Sequence, residues 1–188
     1  MRLFVLLRRV IAVCLLLGGL VYGAHEPFRS EVDQRAEAVR SGVLDVVRPR
    51  LTPVHPVEVT ATAERADRPA GHASDGLTTT AWTAPADTGA VLTLRLDRPV
   101  ELRRAIVRVG LPDAFTSTGR PHRVHVVYAG PGGAVSAQDL ELADTADPQE
   151  VDLDTDGPVA SVSLQVLTVY RGEGPDVALT ELELFGER

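Results

Sequence analysis

The sequence predicts an all-β, antiparallel sandwich preceded by an apolar helix and a short helical stalk, and three observations carry that prediction. Beyond Pro56 the apolar residues alternate with a period of two rather than 3.6. Turn-forming clusters punctuate the alternation: Asp-Arg-Pro at 97–99, Gly-Leu-Pro at 110–112, Gly-Pro-Gly-Gly at 130–133 and Asp-Thr-Asp-Gly at 154–157. No stretch of about 10–15 residues in this region reads as a helix, which disfavours a parallel alternating fold.

Residues 1–25 come first. Val10 to Tyr22 is an uninterrupted apolar run of 13 residues, shorter than the roughly 20 that a spanning helix needs. Adding Leu3 to Leu7, with the Arg8 and Arg9 stems snorkelling to the interface, gives a transmembrane anchor. The same residues also read as a signal peptide, with Arg2, Arg8 and Arg9 as its positive region and cleavage after Gly23 or Ala24. Small residues are not cleanly placed for cleavage, which favours the retained anchor. Both readings put the rest of the chain outside the cytoplasm, as a single-pass membrane protein or a secreted one.

Residues 26–56 read as a stalk and linker. Val32, Ala36, Val39, Val43 and Val46 share one helix face, and Pro49 stops that helix. Pro49, Pro53 and Pro56 then favour an extended spacer without internal hydrogen bonds. Charge changes at the same place: residues 1–50 carry 8 arginines against 5 acids, and residues 51–188 carry 11 against 21.

The sandwich occupies residues 57–188. Val57 to Ala61 is its first strand, followed by Val91–Leu96, Ala105–Val109, Val124–Tyr128, Val135–Leu142, Glu150–Leu153, Val159–Val169 and Ala178–Phe185. About eight short strands in roughly 130 residues suit an antiparallel sandwich. Leu92, Leu94 and Leu96 form one inward set and Val162, Leu164 and Val166 another, with Arg95 and Gln165 facing out.

Composition narrows the chemistry. The net charge of -7 argues against nucleic acid as a partner. All 19 basic residues are arginine, so catalytic-lysine and Schiff-base chemistry is excluded. The single cysteine, Cys14, excludes an intrachain disulfide and a cysteine zinc cluster. No nucleophile elbow, metalloprotease helix or phosphate-cradling glycine loop is present, and the reading is non-enzymatic.

The segment ASDGLTTTAWTAP, Ala73 to Pro85, resembles the DGxxxTxW element of discoidin-like, coagulation factor type C domains. The run GAVLTLRLDRPVELRRAIVRVG is similar to that family's pair of apolar strands around Arg-Pro-Val, and VALTELELFG resembles its closing strand. The resemblance implies a galactose-binding-like jelly roll over residues 57–187. GRPHRVHVVYAG, LADTADPQEVDL and LTVYRGEGPDVALTELELF bring it closest to the carboxyl-terminal domain of actinobacterial membrane proteins that can carry a zinc ribbon. The ribbon itself is absent here.

Some site expectations follow from the same resemblance and others from the loops and strands themselves. Asp75, Thr80 and Glu181 match positions that can hold a structural calcium in related modules. They also suit a purely hydrogen-bonded clamp, and both readings stand. Trp82 is expected to be buried rather than to stack on a sugar. Arg120, His122, Tyr128, Tyr170 and Arg171 are the candidate ligand-binding residues, on a rim at one end of the sandwich. His122 and His125, three apart on a strand, are expected on opposite faces.

The function expected is noncovalent binding of a cell-envelope glycan or envelope protein, with the amino-terminal helix in the membrane. The alternative is a structural or assembly subunit that packs against another membrane protein and has no small-molecule ligand.

Overall fold

The computed structural model describes residues 51–187. Nine strands occupy most of them: β1 (Thr52–Val54), β2 (Glu58–Ala61), β3 (Trp82–Pro85), β4 (Val91–Val109), β5 (Arg120–Ala129), β6 (Val135–Glu141), β7 (Gln149–Asp152), β8 (Val159–Tyr170) and β9 (Asp176–Glu187). All strand pairs are antiparallel. The sandwich expected from the alternating pattern is present.

Strand β4 belongs to both layers. Its first half pairs with β2 on one side and β8 on the other, and β8, β5 and β6 complete that sheet. Its second half pairs with β9 and β7, while β1 and β3 pair with different stretches of β9. The sequence predicts two strands here with a turn at Asp-Arg-Pro. The structure has one strand of 19 residues. Between Arg95 and Val100 its register against β8 slips, with Arg95 opposite Ser161 and Val100 opposite Val159. Pro99 lies in the slip and donates no ladder bond, so the strand leaves one sheet and enters the other without ending.

Between the layers lies a core of small and aliphatic side chains. The inward sets are as the alternation requires: Leu92, Leu94, Leu96, Val162, Leu164 and Val166 are all buried, and Arg95 and Gln165 are exposed. Trp82 has 0% of its surface accessible, and its Nε1 donates to the Ala63 carbonyl at 3.2 Å. The indole therefore anchors the loop between β2 and β3 to the core.

Several expectations need correction. The anchor (1–25) and the whole stalk helix lie outside the described residues, and among the described residues no helix is long and apolar enough to cross a membrane. The helical pieces described are 3₁₀ turns of three to five residues. The membrane-bound stalk, the membrane partner and the single-pass location built on them find no support among the described residues, and neither does secretion after cleavage. The proline-rich spacer is corrected directly. Thr52–Val54 pairs with Leu184–Gly186 as β1, because Pro53 is tolerated on an edge strand. β3 was also missed: its Trp-Thr-Ala-Pro text is too short to show alternation.

Replacing Trp82 with alanine removes the largest buried side chain and a hydrogen bond that fixes a loop. We expect a loss on the order of 3–5 kcal/mol, seen as a lower midpoint in thermal denaturation of the full chain. A change below about 1 kcal/mol would be incompatible with a ring packed in the core.

Candidate functional site

Loops gather at the end of the sandwich where β4 runs into β5 and β8 runs into β9. The loop 110–119 is stitched to β9 at both of its ends: the Gly110 amide donates to Ala178 O at 3.0 Å and the Gly119 amide to Asp176 O at 2.6 Å. Thr180 Oγ1 adds a buried bond to Gly110 O at 2.7 Å. Gly110 has a φ of +84°, and a Cβ there would stand 2.7 Å from the Phe115 ring. Loop 171–175 lies against the same segment, with Glu173 and Gly174 amides donating to Thr116 and Ser117 carbonyls at 3.1 and 2.9 Å.

Arg120 ties these loops together. Its Nε and Nη2 donate to the two Asp144 oxygens at 2.8 Å each, and its Nη1 donates to Thr118 O and Arg171 O at 3.0 Å. The guanidinium lies 5.0 Å from the Phe115 ring centroid. Only 6% of the Arg120 side chain is exposed. The hydrogen bonds from Arg120 hold the Asp144 carboxyl below the usual carboxylate range. Four of its five donors are occupied within the fold, so Arg120 frames the loop end.

The other candidate ligand residues separate. Tyr170 stacks at 4.4 Å on His122 and donates its hydroxyl to Leu142 O at 3.1 Å. Arg171 is exposed and contributes its carbonyl to Arg120. Tyr128 is 1% exposed and sits eight residues further along β5, toward the opposite end of the sandwich. His122 and His125 share a face, contrary to the simple alternation. His122 Nε2 lies 3.1 Å from Glu141 and His125 Nδ1 lies 2.7 Å from Asp139, and those carboxylates are two apart on β6. The register shifts in β5 between Pro121 and Val124 break the period of two.

Asp75 lies within electrostatic reach of Glu181, whose carboxyl accepts from the neighbouring Gly76 amide. Asp75 Oδ1 accepts from the Leu77 amide at 2.9 Å, and Thr80 Oγ1 lies 2.9–3.0 Å from both Asp75 oxygens. Glu181 is 1% exposed, and one of its oxygens, Oε2, has no hydrogen-bond partner. Burial pushes the Glu181 carboxyl up to about 7, with the Asp75 and Glu183 charges adding to the effect; a hydrogen bond from the Gly76 amide and the Arg108 charge oppose it. Two carboxylates, one of them with an unpartnered buried oxygen, and a hydroxyl are the donor types a hard cation takes. Six to eight ligands would require backbone carbonyls as well, since among the described residues no three His, Cys, Asp or Glu side chains cluster for a metal.

A polar cleft of about 310 Å³ adjoins this locus and shares Thr80 with it, between the segments Asp67–Ala81 and Leu111–Ala114. Asp67, Arg68, His72, Thr79 and Asp113 line it. The Arg68 guanidinium makes only a loose 3.7 Å contact with Asp67. Sequence reasoning passed over this cleft because its residues come from two loops about forty positions apart, each reading as an ordinary polar turn. The one available signal was the density of polar side chains just before the Asp75-Gly76 element.

No sequence-family model matches the chain, and no curated protein matches it. Solved structures do. The family 32 carbohydrate-binding module of Clostridium perfringens NanJ, determined with galactose, is 16% identical; the match covers 72% of this chain and 98% of that one, with a TM-score of 0.57. An F5/8 type C domain of a Bacteroides fragilis protein is 21% identical over 73% of this chain and 97% of that one, at 0.61. A Streptococcus pneumoniae fucose binding module is 13% identical over 71% and 94%, at 0.56.

The described domain therefore has the F5/8 type C, galactose-binding-like jelly-roll fold. These counterparts, matched over nearly their full length, are binding modules and a type C domain rather than enzymes. Nothing in the comparisons links the chain to the actinobacterial, zinc-ribbon subgroup.

Two measurements check this frame. Arg120→Ala leaves Asp144 and two loop carbonyls without their donor and should cost on the order of 2–4 kcal/mol, tempered because Asp144 is partly in water; an unchanged denaturation midpoint would contradict the loop-framing role. Glu181 gives a pH test. Its folded pKa lies above the ordinary value, so the folded state holds a proton that the unfolded chain has already released. The Glu181 contribution to stability is then fully present below about pH 4.5 and is lost as pH rises through 7, roughly 3 kcal/mol in all. Glu181→Gln should flatten that slope in denaturant titrations between pH 5 and 8. An equal slope in the variant would place the titrating group elsewhere.

Proposed function

We propose that this domain is a non-enzymatic carbohydrate-binding module whose glycan site is the cleft lined by Asp67, Arg68, His72, Thr79 and Asp113. One observation carries the reading: polar side chains of both hydrogen-bonding senses converge in a concavity at the loop end of a jelly roll. Carboxylates accept pairs of hydrogen bonds and the Arg68 fork donates them, which suits neighbouring sugar hydroxyls. Among the described residues no Phe, Tyr or Trp lines the cleft, so hydrogen bonds rather than stacking on a large ring would select the sugar. A glycan is favoured over the assembly-subunit alternative. Among the described residues the exposed large apolar side chains, Val57, Leu77, Val135 and Leu167, stand on separate segments and form no broad docking face. Asp75, Thr80 and Glu181 would support the same loop end as a hydrogen-bonded clamp that a calcium ion can complete.

A glycan array probed with the full chain tests the reading, followed by calorimetry on the retained sugars. Arg68→Ala and Asp113→Asn should each weaken binding by about tenfold or more while leaving the thermal midpoint in place. An array without retained glycans, or variants that bind like the wild type, would defeat it.

A further inference from the structure

A second cleft lies at the opposite end of the sandwich. It has a volume of about 430 Å³, between the β5–β6 hairpin (Gly130, Pro131, Ala134, Val135) and the β7–β8 loop (Asp156, Pro158), with Tyr128 also in its lining. Three features there are unexplained by the fold. Val135, on the rim, is 67% exposed, which makes it the most exposed large apolar side chain among the described residues. The Tyr128 hydroxyl is buried and has no hydrogen-bond partner. Asp154 and Asp156 stand exposed beside the cleft without a cation paired to either among the described residues, and no basic residue lines it.

Each feature specifies part of an occupant. A buried phenol that keeps its proton is a donor seeking an acceptor, and an unmet donor of this kind is costly. Burial first, and the Asp154 charge second, push the Tyr128 hydroxyl far above its usual range, so it stays a donor throughout the physiological span. Proline, alanine and valine surfaces call for a small aliphatic group, and the two carboxylates call for a cation. A carbonyl oxygen, an aliphatic side chain and a positive charge occur together in a peptide segment where valine-like and basic residues alternate.

We propose that the cleft between the β5–β6 hairpin and the β7–β8 loop is a second binding site, taking an extended peptide segment that presents an aliphatic residue beside a basic one. The peptide carbonyl accepts from Tyr128, the aliphatic side chain covers Pro131, Val135 and Pro158, and the basic side chain pairs with Asp154 and Asp156. The site is independent of the glycan cleft, since the two share no residue.

The test is fluorescence polarisation of the full chain with a labelled, end-blocked Val-Arg-Val-Arg peptide, with the matching Val-Glu-Val-Glu peptide as control. Saturable binding of the arginine peptide alone, weakened as salt rises, is the expected result. Asp154→Asn combined with Asp156→Asn should reduce affinity by about tenfold and blunt the salt dependence. Tyr128→Phe should reduce it by about fivefold without lowering the thermal midpoint, because the hydroxyl it removes has no partner in the free domain. Equal binding of both peptides, no binding of either, or wild-type affinity in both variants would overturn the proposal.

Discussion

The double membership of β4 is the constraint from which the rest of the domain follows. A single strand of 19 residues pairs with β2 and β8 in one layer and with β7 and β9 in the other. The two layers are thus joined covalently and cannot slide independently. Their inward faces, Leu92 to Leu96 on one half and Leu102 to Val109 on the other, contribute to the same core. Because Val109 ends β4 at β9, the next loop begins against Ala178 and Thr180, where Gly110 makes its bonds.

Arg120 extends that order from the sheets into the loops. A guanidinium with both carboxylate oxygens of Asp144 and two carbonyls around it holds three loops without regular secondary structure. The planar fork suits this task because its five donors point in fixed directions. The polar cleft is built on the same loop end and inherits the rigidity of that frame.

Glu181 shows how burial converts a strand residue into a titrating group. Register places it opposite Arg108 on the outer side of its sheet, where alternation alone would leave it in water. The turn at Ala70–Ser74 covers β9 instead, with Ala70 and Ala73 buried beneath it. The carboxyl is left with the Gly76 amide as donor and with Asp75 and Glu183 as like-charged neighbours.

The sequence by itself determined the class of fold, most strand positions and the inward-facing residues. Each of those rests on local alternation and turn chemistry, which neighbouring residues display without reference to the rest of the chain. It also marked Trp82 as core. Only the tertiary structure decided that Asp-Arg-Pro is a bend inside β4, that Pro53 sits in a paired edge strand, and that Arg120 and Tyr128 are buried while His122 and His125 share a face. These outcomes depend on register slips and on which loops come to lie over which strands. Such slips and loop packing are settled by pairings between residues tens of positions apart, so no local pattern in the chain records them.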